Sequence, residues 1–94
     1  MRFDWDPAKA QANRAKHGLS FEFATRAWDD PLLQILPDRV ENNEERWRAI
    51  AMIGSVMVVV VIHTYPGLED DHVRIISARK ATPYERRSYE NEAL

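Results

Sequence analysis

The chain has 94 residues, 13 basic and 15 acidic for a net charge of −2, with 45% hydrophobic and 30% charged side chains. That is the make-up of one soluble folded domain, 1–94, which at this size buries only about 60 to 65% of the surface its unfolded chain exposes. No cysteine is present and the three histidines lack ligand spacing, which excludes disulfides and thiolate centres and leaves metal sites and cofactors out of the expected chemistry. The longest apolar run, Val56 to Ile62, is too short to cross a bilayer, and no signal-peptide pattern opens the chain, so the expectation is a cytoplasmic protein without membrane attachment.

In chain order, Arg2-Phe3-Asp4-Trp5 alternates as a short strand, and Asp6-Pro7 supplies an N-cap followed by proline at the first helical position. Helix one is predicted over Pro7 to His17, with Lys9, Asn13 and Lys16 on its polar side and Gly18 as C-cap. Ser20 caps a second helix carrying Phe21, Ala24 and Trp28 on its core face, ended by Asp29-Asp30-Pro31. Leu32 to Leu36 reads as an edge strand or extended link, and Pro37 to Asn43 as a polar loop. Strands follow over about Glu45 to Ile53 and Val56 to Tyr65, the second apolar on both faces and therefore central. His72 to Arg79 is a further strand, and Thr82-Pro83-Tyr84-Glu85 is a capping box opening a helix to about Glu92.

The Gly54-Ser55 connection predicts a two-residue type II′ hairpin turn. Ile53 then pairs with Val56, Met52 with Met57, Arg48 with Val61, and Arg46 with His63. Directly opposed residues share a face, so Arg46, Arg48 and His63 are expected together at the open end of the hairpin. If Pro66 to Asp71 forms a six-residue loop, Arg74 faces His63; a one-residue slip instead presents Val73, Ile75, Ser77 and Arg79. Between Arg74 and Arg87 five basic residues stand against one acidic, a net of +4 that leaves −6 on the remainder. Such a local positive field attracts phosphate despite the acidic total.

Read in order, Phe3-Asp4-Trp5-Asp6-Pro7-Ala8-Lys9, Asn13, Lys16-His17-Gly18, Ser20-Phe21-Glu22, Trp28-Asp29-Asp30-Pro31, Glu45-Arg46-Trp47, Val60-Val61-Ile62-His63-Thr64, Arg74 to Thr82 and Glu85-Arg86-Arg87-Ser88-Tyr89-Glu90 resemble the blocks of BrnT-type toxins. The resemblance covers nearly the whole chain. It implies a RelE-like α+β fold: a small antiparallel sheet with two N-terminal helices packed on it and a C-terminal helix, in the order β-α-α-β-β-β-β-α. It further implies a ribonuclease toxin of a type II toxin-antitoxin system that blocks translation. The implied partners are RNA, free or on the ribosome, a BrnA-like ribbon-helix-helix antitoxin, and promoter DNA through the antitoxin complex. Phe23, where relatives often carry an acidic residue, and the long acidic Leu68-Glu69-Asp70-Asp71 stretch depart from the pattern.

Metal-independent RNA cleavage needs a base for the 2′-OH, an acid for the leaving 5′-oxygen, and cations for the phosphorane. Arg46, His63, Arg74 and Arg79 are the candidate catalytic residues, with His63 titrating nearest neutrality and the arginines suited to forked phosphate binding. Candidate RNA contacts are Lys16, His17, Arg48, Lys80, Arg86 and Arg87. Against these stand plainer readings: a core histidine, a solvated helix face, and cations favouring the end of a helix dipole. Glu45 faces away from Arg46 while Glu44 shares its face, and Trp47 is read as core. The competing function is a binding module that mainly clamps its antitoxin and represses its own operon.

Overall fold

The computed structural model describes residues 1–55, 57–67, 69 and 71–93, the side chain of residue 93 apart. Its elements are β1 (Arg2–Asp4), α1 (Pro7–His17), α2 (Phe21–Ala24) continuing into a 3₁₀ turn over Thr25–Asp29, β2 (Gln34–Glu41), β3 (Glu44–Ile53), β4 (Met57–Thr64), β5 (His72–Lys80) and α3 (Pro83–Ala93). The helix boundaries follow from local chemistry. Asp6 accepts from the Ala8 amide at 2.8 Å, and Gly18 closes α1 at φ 75°, its amide donating to the Arg14 carbonyl. The α3 box forms as predicted, with Thr82 N to Glu85 Oε1 at 2.8 Å and Glu85 N to Thr82 Oγ1 at 3.2 Å. The second helix keeps its Ser20 cap but tightens after one α-turn into 3₁₀ geometry.

The strands form one sheet in the order β1-β5-β4-β3-β2, antiparallel except for the β1–β5 pair, with β4 at its centre. One expected loop is a strand instead. Residues 37–41 continue β2, and Asn42 and Asn43, at φ 55° and 63°, make the two-residue turn into β3 with Glu41 opposite Glu44. Asparagine tolerates that left-handed conformation, which a tight hairpin requires at both turn positions. Pro37 fits because β2 is an edge strand, and a bulge between Pro37 and Val40 absorbs the irregularity.

Each face of the sheet has its own core. Ala49, Ala51, Ile53, Val59, Val61, Val73, Ile75 and Ala78 pack under α1, α2 and the 3₁₀ turn, with Phe21 fully buried among them. On the other face Ile50, Val58 and Val60 pack against Tyr89 of α3. That helix packs over the hairpin from its turn end to the Ile50–Val60 pair. It is latched there by Tyr89, whose hydroxyl donates to Asp30 Oδ2 at 2.5 Å, and by Gln34 Nε2 donating to the Tyr89 carbonyl. Asp30 also accepts from Met52 N at 2.8 Å and Leu32 N at 2.9 Å. Burial works to raise its pKa, but these hydrogen bonds leave it lowered, while burial and the Asp30 bond push Tyr89 up to about 12.

Asn13 corrects the expected polar side of α1: it is buried. Its Nδ2 donates to the carbonyls of Leu19 (3.2 Å) and Ala78 (2.9 Å), and its Oδ1 accepts from Ala78 N at 3.0 Å. β1 pairs only with residues 72–74 of β5, so the carboxamide satisfies both outward polar groups of Ala78 that no strand reaches.

Candidate active site

The hairpin register differs from the expected one by one residue. Ile53 pairs with Met57 and Trp47 with His63, leaving 54–56 as a three-residue connection in which Val56 lies outside the described residues. Gly54 holds φ 66°. A one-residue slip exchanges the faces, so His63 leaves Arg46 and joins Trp47 under the helical layer. Its ring is fully buried, edge-on to Trp28 and Tyr65 with centroids at 5.0 and 5.1 Å. Because the Val61 carbonyl can only accept, His63 Nδ1 carries the proton and donates to it at 3.1 Å, and Nε2 accepts from the Tyr65 hydroxyl at 3.1 Å. Burial lowers its pKa, the Val61 bond opposing it. The geometry is that of a satisfied neutral core histidine.

A regular strand presents either Arg74 or Arg79 to any one face, since five positions apart they fall on opposite sides. The fold brings both to one face. Thr64 pairs with Arg74 and His63 with Ile75, whereas Ile62 pairs with Ser77 and Val60 with Arg79. Ile76 is therefore a bulge that resets the alternation. Neither His63 opposite Arg74 nor Tyr65 opposite His72 occurs. Arg46 and Arg48 share this face through the regular β3, with Arg48 opposite Ile62 and Arg46 next to Thr64 by continuation of the register.

Arg46, Arg48 and Arg74 thus stand on the part of this face that α3 leaves open, Arg79, opposite Val60, stands at its border with the α3 core, and carboxylates hold three of the four. Arg46 Nη1 lies 3.4 Å from Glu41 Oε2 on the β2 side of the hairpin, with only 16% of its side chain exposed. Arg74 forks onto Asp4, Nε to Oδ1 at 3.0 Å and Nη2 to Oδ2 at 3.3 Å. His72 Nε2 donates to the same Asp4 at 2.9 Å, its Nδ1 taking a hydrogen bond from Arg2. The Arg74 bond, against the cost of burial, holds Asp4 below its ordinary range and raises Arg74 in turn. Arg79 forks onto Glu85 at 2.7 and 3.0 Å, which with the Thr82 cap bonds brings Glu85 down to about 2.

Among the described residues, three buried polar atoms on this half-face find no hydrogen-bond partner: Arg46 Nε, Arg48 Nε and the hydroxyl of the fully buried Thr64. Glu41 Oε2 is likewise without hydrogen-bond geometry although it lies 3.2 and 3.4 Å from Arg39 and Arg46. Unsatisfied buried donors are costly, each by about 1 to 3 kcal/mol. Two of the three are guanidinium nitrogens and the third belongs to the residue beside Arg46 in the register, donor types that suit an oxyanion. Thr64 stands beside Arg46 where the expected register places His63.

The remaining expected contacts are distributed elsewhere. Lys16 and His17 end α1, in the layer behind the sheet, and Lys80 pairs with Val59 of the helix-covered face. Arg86 and Arg87 ride on α3, Arg86 Nε bonding Glu90 at 3.1 Å. A cavity of about 570 Å³ between Asp30, Leu32, Met52 and Tyr89 lies at the turn end of the hairpin, and none of the four arginines of this face lines it. Among the described residues no group of acidic residues and histidines is placed to hold a metal ion, and no helix is long and apolar enough to cross a membrane.

Residues 5–85 match the family model of the ribonuclease toxin BrnT of type II toxin-antitoxin systems. The chain belongs to the BrnT family. The crystal structure of the Brucella abortus ribonuclease toxin BrnT superimposes with a TM-score of 0.64 at 30% identity, over 87% of this chain and 97% of that one. No curated protein sequence matches significantly. The α+β architecture is thus that of BrnT, and membership implies an RNA substrate and an antitoxin partner. In this BrnT-family chain the open half-face is where arginines and orphaned donors coincide.

Proposed function

We propose that the protein is a cytoplasmic, metal-independent endoribonuclease toxin that cleaves RNA on the open half of the α3-bearing face. The observation that carries this reading is the set of partnerless buried donors, Arg46 Nε, Arg48 Nε and Thr64 Oγ1, amid four arginines. A phosphate bound there receives charge-assisted hydrogen bonds, the stronger kind, from the arginines. Arg46, Arg48, Arg74 and Arg79 then stabilise the phosphorane, a role that needs no bound ion. Glu44 takes the 2′-OH proton and water protonates the leaving 5′-oxygen; Glu44 shares the Arg46 face and lies close enough to Arg74 to help raise the pKa of that arginine. His63 keeps the core in order, and Lys16, His17 and Lys80, behind the sheet, stay outside the reaction; Arg87 touches the flanking strand of RNA.

A BrnA-like ribbon-helix-helix antitoxin neutralises the toxin, and the pair binds its own promoter. Purified protein freed of partner and incubated with RNA in EDTA should cleave it, with or without ribosomes. No cleavage in either case sinks the enzyme and leaves the antitoxin-binding module. Cleavage that EDTA abolishes removes the metal-independent mechanism.

A further inference from the structure

Arg79 has five N–H donors, and the described residues account for three. Nη1 donates to Glu85 Oε1 at 2.7 Å and to the Lys80 carbonyl at 3.3 Å, and Nη2 donates to Glu85 Oε2 at 3.0 Å. Two remain: Nε–H and the second Nη2–H. These project in parallel from one edge of the planar guanidinium, the side-on fork that matches two oxygens of a phosphate. Arg74 is arranged the other way, its side-on fork already spent on Asp4.

Glu85 is itself immobilised. Besides Arg79 it accepts from Thr82 N at 2.8 Å, its own amide donates to Thr82 Oγ1 at 3.2 Å, and its side chain is only 15% exposed. A capping box ordinarily asks Glu or Gln only to reach back to the N-cap amide. Here the same carboxylate also aims an arginine that stands opposite Val60, at the boundary between the α3-covered and open halves of the face.

We infer that Glu85 is a positioning residue for RNA cleavage: it grips the end-on edge of Arg79 so that the side-on fork is presented, already oriented, to the phosphate in the open half-face. This rests on the ribonuclease reading above. A loosely held arginine of the same charge would still attract RNA but would lose the geometry required in the transition state, where a displacement of about 1 Å can cost about 10²-fold in rate.

Glu85→Gln separates this role from the cap, because glutamine also completes a capping box but offers one acceptor oxygen and no charge. The expected result is a kcat on an RNA oligonucleotide lowered by about 10²-fold with KM nearly unchanged, the signature of an interaction made in the transition state. A double-mutant cycle supplies the readout that a merely structural role would not move: Arg79→Ala with Glu85→Gln should be no slower than Arg79→Ala alone. Additive losses, or wild-type kcat in Glu85→Gln, overturn the inference. NMR of the Arg79 Nε–H, assigned by its absence in Arg79→Ala, needs no turnover. On adding 2′-O-methyl RNA that signal should shift in the wild type and not in Glu85→Gln; equal shifts also overturn the inference. A wild-type protein that cleaves nothing rejects the ribonuclease reading alone, and the NMR comparison still decides whether Glu85 aims Arg79.

Discussion

The two faces of the sheet treat polar side chains in opposite ways. Under the helices, His63 and Asn13 are buried with their polar atoms paired. On the open half of the other face, Arg46, Arg48 and Thr64 bury polar atoms that find no partner among the described residues. Since an unsatisfied donor costs more than a typical hydrogen bond gains, a fold that satisfies one face and leaves the other wanting supports placing the proposed site on the second. Burial alone does not separate function from packing, because the most deeply buried ionisable side chain, His63, lies on the finished face.

The sharpest way to break this contrast is to remove the open-face cations. Arg46→Ala and Arg48→Ala should each lower RNA cleavage by about 10² to 10³-fold, the usual loss for one transition-state donor, in protein whose circular dichroism matches the wild type. Cleavage at the wild-type rate in both would move the site elsewhere. His63→Ala should do the reverse, costing about 2 to 4 kcal/mol of stability in denaturant melts while cleavage per folded molecule is kept. A fully stable but inactive variant would return His63 to the chemistry.

The same histidine gives a pH signature. Burial holds its folded-state pKa below the ordinary 6.5, so the unfolded chain takes up a proton that the folded chain refuses. Its contribution is complete above about pH 6.5 and is lost as pH falls through the lower folded value. Stability should therefore decline below that pH in the wild type and more gently in His63→Phe, as followed by thermal melts.

Smaller effects test the finished face and then the unfinished one. Asn13→Ala strands both polar groups of Ala78 and should cost about 2 kcal/mol, read from the urea midpoint; a change below about 0.5 kcal/mol would mean that water substitutes freely. Thr64→Val should stabilise the protein by about 1 kcal/mol, because the buried hydroxyl it removes has no partner, and should weaken binding of 2′-O-methyl RNA. A loss of stability there would show the hydroxyl to be satisfied after all.

The helices were legible in the sequence because their signals are local: Asp6-Pro7, Gly18 and the Thr82 to Glu85 box each act within one turn of chain. The central position of β4 was legible from its unbroken apolar run. The site was only half legible. Its arginines could be named, but placing His63 among them rested on a single residue of turn length, and the 54–56 connection reverses the faces. The bulge at Ile76 has no local signature, so either regular register would have lost one of Arg74 and Arg79. The β2–β3 turn did carry a signal, Asn42-Asn43, outweighed by Pro37 in a segment that an edge strand tolerates. Asn13 could not be read at all, since its partner lies 65 residues away.

Asn13 has a consequence beyond fastening a helix. An uncovered row of amides and carbonyls on β5 past residue 74 would be a template for the strand of another molecule, the usual seed of edge-to-edge polymerisation. By occupying both outward groups of Ala78, one carboxamide blunts that template without a sixth strand. A chain with Ala at this position should therefore be not only less stable but also more prone to form β-rich aggregates at high concentration.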